Sequence, residues 1–559
     1  MTQGSGLSRP LAHRCGREGQ GAFGACRHVA VLMLLVSAML ACLSAEGGTA
    51  RPRVLRLARV NDPATLDPLF ATSQIDLMLS LLQHQPLLDI HDGCLVATNL
   101  ASGWSVSPDQ RVLSFDLLPG VRFSNGREVT SEDYAFTLER SIIAPTMMVQ
   151  YALQIRGAPE FASAWRRGLR PPPRPVGIRT PSPRSIVVEL EKPDVTFKYW
   201  MAQAFGMALA RESLGDPTED SVGRAVGTGP YRMREWVRGA WIRFERNPHY
   251  LWPGARHFDR IDLMLGGDES THMMMFERGE LDLASLQATG CPEADFARLH
   301  QDPVRRSGWT NAPMYHAIMV NINTAMPPFT DIRVRQAVGH AFDRERFARL
   351  NGERVTPGHT GITPLMPGFH PEVEYLHFDP ERSRALLREA GYPDGIRTPV
   401  RLWHTNIQLY RRWAAVFQED LRRVGIAVEL REVSQGVFDA ATSRRGGAEM
   451  SIFAWTAGVP DASYFLLPFH SRFISEENSQ NGAFYSNSTI DRWLDEAMVC
   501  PAEQPRLGLF RRVEQQLLSE GSLIVLGHQN LFALRQPWIR GPLLEPVWWF
   551  RLDHIWSER

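Results

Sequence analysis

A mixed α/β fold with more than one domain is what this sequence predicts, and three observations predict it. The first is a strand pattern at Val400-Arg-Leu-Trp403, a helical pattern from about Leu409 to Val424, and a second strand at Ile426-Ala-Val-Glu-Leu430. That β-α-β order implies a parallel strand pair with a helix crossing over it. The second is upstream, where the strictly alternating Leu113-Ser-Phe-Asp-Leu117 precedes an Asn125-Gly126 turn and a helix start. The third is size: 559 residues, 44% hydrophobic and 22% charged. At roughly 100–200 residues per domain, such a chain buries several cores.

The elements follow in order. Val54-Leu-Arg-Leu-Ala-Arg-Val60 alternates as a strand, and Val121-Arg-Phe123 leads into the Asn125-Gly126 turn. Thr130-Ser-Glu-Asp133 forms a capping box that opens a helix through Arg140. The proline run at 170–175 reads as a surface loop before the strand Ile186-Val-Val-Glu-Leu190. Thr330 or Asp331 caps a helix that carries Val334, Ala337, Val338, Ala341 and Phe342 on one face. Asp379-Pro380-Glu381 starts another, with an N-cap, a proline at N1 and an acid on the dipole, and Gly391 ends it. Glu449-Met-Ser-Ile-Phe-Ala-Trp455 reads as a further buried strand, and no repeat of 20–50 residues is present.

Composition narrows function. The 61 basic and 61 acidic residues cancel, so no field favours nucleic acid or an anionic membrane surface. Only Lys192 and Lys198 are lysines, and neither stands in a phosphate-loop or Ser-x-x-Lys context. Lys198, among Phe197, Tyr199 and Trp200, reads as a lysine laying its stem on aromatics. No G-x-S-x-G elbow or H-E-x-x-H occurs, and His84, His91 and His404 do not fall at metal-ligand spacing. Asp216, Glu219 and Asp220 read as a solvated loop. No catalytic residues, metal or cofactor are expected.

The N-terminus reads as an export signal. Arg14, Arg17 and Arg27 precede the uncharged stretch Val29 to Ala45, and small residues follow at Ala41, Ser44, Ala45 and Gly47. The apolar part is short of the roughly 20 residues that span a bilayer. Met39-Leu-Ala-Cys42 resembles a bacterial lipobox, which would place a lipid on Cys42. Past the signal only Cys94, Cys291 and Cys500 remain, so buried free thiols or at most one disulfide are expected.

Six blocks then carry a family resemblance: Thr65-Leu-Asp-Pro68; Trp104-Ser-Val-Ser-Pro-Asp109 with Val121-Arg-Phe-Ser-Asn-Gly126; Gly227-Thr-Gly-Pro-Tyr231 with Trp236 and Arg246-Asn-Pro-His-Tyr250; Pro328-Phe-Thr-Asp-Ile-Arg-Val-Arg335 with Asp343-Arg-Glu345; Asp379-Pro380 to Gly391-Tyr392; and Asp420-Leu-Arg-Arg-Val-Gly-Ile426. In this order the chain resembles the family-5 extracellular solute-binding proteins, the oligopeptide-, dipeptide- and nickel-binding receptors of bacterial ABC importers. The blocks mark a scaffold more than a ligand. Gly227 and Gly229 read as turn residues, and Asp331, Arg333 and Arg335 as capping and solvating a helix face.

The resemblance implies a bilobal α/β periplasmic-binding-protein fold, type II with an extra subdomain and a hinge between lobes. Residues 1–45 would be the signal peptide, 51–93, 226–315 and 526–559 lobe I, 94–225 the subdomain and 316–525 lobe II. The hinge falls at crossings near 315 and 525. The implied role is that of a monomeric periplasmic receptor without chemistry of its own. It would capture a small peptide or peptide-like solute by closing, and deliver it to ABC permease subunits with cytoplasmic ATPases. A sensor or chaperone of the same fold, and a receptor for a metal chelate or sugar conjugate, are the alternatives.

Two departures bear on the ligand. Peptide-binding relatives use a W-x-[AG]-D segment whose aspartate pairs with the peptide's α-ammonium. Here the segment is Trp455-Thr-Ala-Gly458, with glycine at the aspartate position. Asp461 is the nearby acid, and it reads either as the cap of Ser463-Tyr-Phe-Leu-Leu467 or as a ligand contact. Where many relatives read Glu-Gly-Leu, His84-Gln85-Pro86 aligns. A buried ammonium without its partner costs about 3–5 kcal/mol, so an amine-blocked peptide, an opine-like or sugar conjugate, or a metal chelate fits better than a free dipeptide. Trp455, Tyr464 and Trp403 are the expected walls.

Overall fold

The computed structural model describes residues 52–71, 73–91, 95–146, 148–170, 172–224, 226–252, 258–371 and 375–559. The export signal, Cys42 and Cys94 lie outside these residues. Among the described residues no helix is long and apolar enough to cross a membrane.

Three larger sheets organise the chain from residue 53 onward. The first orders Val54–Arg59, Arg260–Leu265, Trp241–Arg246 and Tyr231–Val237, so chain distant in sequence completes one sheet. Val54–Arg59 pairs parallel with Arg260–Leu265, and the other pairs are antiparallel. Alternation puts Leu55, Leu57, Ile242, Phe244, Ile261 and Leu263 into one core. The second sheet, antiparallel, orders Ala101–Val106, Val112–Leu117, Ser185–Glu189 and Ile178–Ser182. Leu113, Phe115, Ile186 and Val188 face the helix Ser131–Ile143 in a shared core. That helix opens as expected, with the Thr130 N–H donating to Asp133 Oδ2 at 2.8 Å, and it continues three residues past Arg140.

The third sheet has six strands, ordered Val355–Pro357, Leu523–Leu534, Trp309–Ile322, Met450–Thr456, Ile396–Thr405 and Ile426–Val433. Its last two strands are parallel and joined by the helix Gln408–Arg423, which is the β-α-β unit the sequence predicts. One face carries Ile318, Val320, Leu402 and Ile452 against Val334, Val338, Phe417 and Leu421 of the helices. The other face carries Ala317 and Met319 against Phe465, Phe469, Phe510 and Leu517.

The strands Trp309–Ile322 and Leu523–Leu534 join two cores. Met314, Leu531 and Ala533 pack in the core of the first sheet, whereas Ile318, Val320, Ile524 and Leu526 pack in that of the third. Their register breaks between Pro313 and Ala317, opposite Asn530 and His528. A break in pairing at the passage from one core to another is where a bend costs least.

Two of the family-like blocks do structural work of a kind the sequence does not show. Asp67 accepts from Arg140 Nη1 and Nη2 at 2.9 and 2.6 Å, and both side chains are fully buried. Arg140 also donates to the Pro217 and Glu219 carbonyls, so this pair ties the first strand's loop to a helix and a distant turn. Arg335, expected on a solvated face, is instead buried. It donates to the Phe329 and Glu520 carbonyls at 2.9 and 3.0 Å and locks the helix Ile332–Ala341 to the end of Glu503–Ser519. Asp331 caps its helix by accepting the Arg333 N–H at 2.9 Å, and Arg333 pairs with it at the surface.

Candidate functional site

The strand Met450–Thr456 begins in the core and ends outside it. Met450, Ser451 and Ile452 are buried, but Trp455 is 37% exposed, so the strand expected to be buried throughout opens at its far end. The chain then turns. Ala457 N–H donates to the Tyr315 carbonyl, and the short helix Ser463–Leu466 brings Tyr464 back beside Trp455. Their ring centroids are 6.2 Å apart, and Phe453 meets Trp455 edge-on at 6.1 Å. Three rings thus pack in a row, and the last, Tyr464, is the one beside Gly458.

Gly458 is not forced by the backbone. A Cβ there would meet nothing closer than Tyr464 Oη at 3.8 Å, an ordinary contact. Its carbonyl accepts a hydrogen bond from Gln203 Nε2, which arrives from the segment after the helix Phe197–Met201. On that side Tyr151 and Trp200 pack with centroids 4.0 Å apart. Burial pushes the Tyr151 phenol up to about 12 and raises that of Tyr464 as well, so both stay protonated donors at neutral pH.

Asp461 has its own partners. Burial alone would raise its carboxyl, yet Arg506, donating to both oxygens at 2.6 and 2.8 Å, holds it below the usual carboxylate range. Asp461 Oδ1 also accepts from Ser463 N–H at 3.0 Å. Capping and ion pairing therefore occupy this carboxylate. Lys198 lies 5.2 Å over the Tyr199 ring, and burial lowers its pKa against the opposing pull of Asp461.

Of the residues singled out from sequence, Trp455, Gly458, Asp461 and Tyr464 come together, because one strand end and one helix turn carry all four. His84 stands elsewhere, whereas Trp403 shares the sheet face of Ser451, Phe453 and Trp455, two strands along from Asn321. His84 is fully buried, neither ring nitrogen has a hydrogen-bond partner, and burial pushes its pKa down to about 4. Gly227 and Gly229 press on this segment: a methyl at Gly227 would overlap the Gln83 carbonyl and His84 Nδ1. Close approach of two backbones, rather than a left-handed turn, explains these glycines. Gln85 donates to the Leu81 carbonyl and to Asp553 at 3.1 and 3.3 Å and is buried. Trp403 lies opposite Ser451 with the Arg401 and Arg431 guanidinium groups 6.0 and 5.9 Å from its ring.

Gln203, Tyr151 and Phe453 escaped the sequence reading. Only Phe453 had a local signal, since it alternates in phase with Trp455 along the strand. Among the described residues no cluster of three or more histidine, cysteine, aspartate or glutamate side chains could hold a metal. Cys291 and Cys500 are free thiols.

The model for bacterial extracellular solute-binding proteins, family 5, matches residues 96–476. The chain is 26% identical over 537 residues to di/tripeptide-binding protein 2 of Pseudomonas aeruginosa, covering 92% of this chain and 96% of that one. It is 23% identical over 494 residues to a glutathione-binding protein of Salmonella typhi, covering 88% and 91%. Among solved structures it resembles clavulanic acid biosynthesis oligopeptide binding protein 2, with a TM-score of 0.80 at 24% identity over 91% of this chain and 96% of that one.

Proposed function

The chain belongs to the family-5 bacterial extracellular solute-binding proteins, and from that premise we propose that it is the receptor of an ABC importer for a peptide-like solute. It works outside the cytoplasmic membrane as a monomer, closes over its ligand, and hands it unchanged to permease subunits whose ATPases supply the energy. The solute class is supported by relatives named as a di/tripeptide-binding and a glutathione-binding protein. The strands Trp309–Ile322 and Leu523–Leu534, with their register break, serve as the hinge.

The observation that carries the reading is the row of rings from Phe453 through Trp455 to Tyr464, ending beside Gly458, whose carbonyl Gln203 reaches from a separate part of the chain. A frame of rings with a few placed polar groups between elements suits a small solute. It also bears on which solute. Asp461 is spent on Arg506, so the acid that follows Gly458 in the chain is not free to receive a ligand cation. A cationic amine placed there would lose water without gaining a partner. The ligand's end at Gly458 is therefore uncharged or acidic, as in an amine-blocked peptide.

Native mass spectrometry of protein expressed from about residue 51, set against its denatured mass, tests the role. A co-purified adduct in the di- or tripeptide range, released chemically unchanged, is expected. An empty protein that also gives no thermal shift with a peptide library would overturn it, and time-dependent product from the ligand would make it an enzyme. Calorimetry then tests the amine: N-acetyl-Ala-Ala should bind about tenfold or more tighter than Ala-Ala, a difference near 1.4 kcal/mol. Tight binding of the free dipeptide would sink that part.

A further inference from the structure

We infer that a small uncharged pocket beside Trp455, floored by the Asn321 carboxamide, is a subsite for a ligand side chain that ends in an amide. This rests on the reading of the chain as a receptor for peptide-like solutes, and it states what one part of such a solute carries.

The pocket arises from strand register. Trp309–Ile322 pairs with Met450–Thr456 so that Asn321 lies opposite Ser451, Met319 opposite Phe453, and Ala317 opposite Trp455. Alternate residues share a face, so Met319, Asn321, Phe453 and Trp455 project together. The segment carrying Phe465 and Phe469 covers that face and leaves a cavity of about 30 Å³. None of the residues lining it is charged.

One polar group in this pocket is unspent. Asn321 Oδ1 is buried and has no hydrogen-bond partner. Asn481, at the same cavity, has used its carboxamide on the Tyr485 backbone at 2.9 and 3.3 Å. Gly482 keeps the far side clear, because a Cβ there would sit 3.0 Å from Asn321 Nδ2. A buried acceptor among rings is costly until something donates to it. An ammonium or guanidinium donor would be stripped of water with no carboxylate lining the pocket to receive it. The donor is thus neutral. A carboxamide meets the whole requirement, since its adjacent N–H and C=O match the two ends of Asn321's own amide. A cavity this small favours a flat head group over a ring. Met319, unbranched and adaptable, is the wall that yields.

Calorimetry with N-acetyl-Ala-Gln and N-acetyl-Ala-Met, matched in length, tests this on the wild type, Asn321→Leu and Gly482→Ala. The wild type should prefer the glutamine ligand by about tenfold. Asn321→Leu should reverse that order, and Gly482→Ala, which crowds the Asn321 carboxamide but leaves the residue in place, should erase it, which covers the case that the leucine variant fails to fold. Equal affinities in the wild type, or a preference that survives Asn321→Leu, would overturn the subsite and leave the receptor reading standing. Should neither ligand bind the wild type, the peptide-library screen decides the receptor reading, and wild-type crystals soaked in propionamide decide the pocket. Propionamide against Asn321 would support it, and an empty pocket would overturn it.

Discussion

Asp67 and Arg140 show how a single residue pair can hold distant chain together. Every lone pair and donor of consequence is used, with Ser221 N–H adding a third contact to Asp67 at 3.0 Å. Removing one partner leaves a buried charge, so Asp67→Asn should cost about 3–5 kcal/mol in urea unfolding at neutral pH. The pH dependence has a definite sign. Burial would raise the Asp67 carboxyl, but the hydrogen bonds and charge of Arg140 outweigh it and hold the group below its usual value. A depressed carboxyl contributes stability above its unfolded pKa of about 3.9 and loses it as pH falls further. The difference between wild type and Asp67→Asn should therefore shrink below about pH 4. A constant difference down to acid pH would show that the pair is not ionised in the fold.

At the scale of elements, local signals and long-range partners part company. Asp331, Asp343 and Asp379 each cap a helix by accepting a backbone N–H, at 2.9, 2.8 and 2.9 Å. The Asp331 and Asp379 caps and the β-α-β unit were legible because each depends on residues within one turn or one period. Arg335 was misread because its carbonyl partner at Glu520 lies 185 residues away. The aromatic half of the site, Trp455 with Tyr464, was legible from a short segment. Gln203 was not, since only the folded chain brings it to Gly458. That contact makes its own prediction. Gln203→Ala leaves the Gly458 carbonyl without this donor, at a cost of about 1–3 kcal/mol. Hydrogen exchange in ligand-free protein should accelerate at 456–460 while the helix Gln408–Arg423 stays protected. Unchanged exchange at 456–460 would mean the bridge does not form in solution.

For the whole molecule, buried protons are balanced between opposing groups. His84 and His528 are pushed down to about 4 by burial, His528 despite donating from Nε2 to the Thr360 carbonyl. Glu514 and Glu545 are pushed up to about 7, because burial outweighs the backbone N–H groups that each accepts from. These histidines, and His316, which burial also pushes down to about 4, stay neutral when folded and take up protons on unfolding, so their stability is full above about pH 6.5 and falls as pH drops toward 4. The glutamates keep protons when folded and lose them on unfolding, so theirs is full below about pH 4.5 and falls as pH rises through 7. Between about pH 5 and 6 each group shifts nearly one proton, and the two kinds oppose each other. Glu514→Gln removes one side of that balance. Its unfolding free energy should climb with pH more steeply than the wild type's, by about 1.4 kcal/mol per pH unit. His528→Gln should tilt the line by the same amount the other way. Urea unfolding at about pH 5.0, 5.5 and 6.0 reads both slopes. Two variants running parallel to the wild type would mean that these groups titrate alike in the folded and unfolded chain, and that burial does not set their protonation.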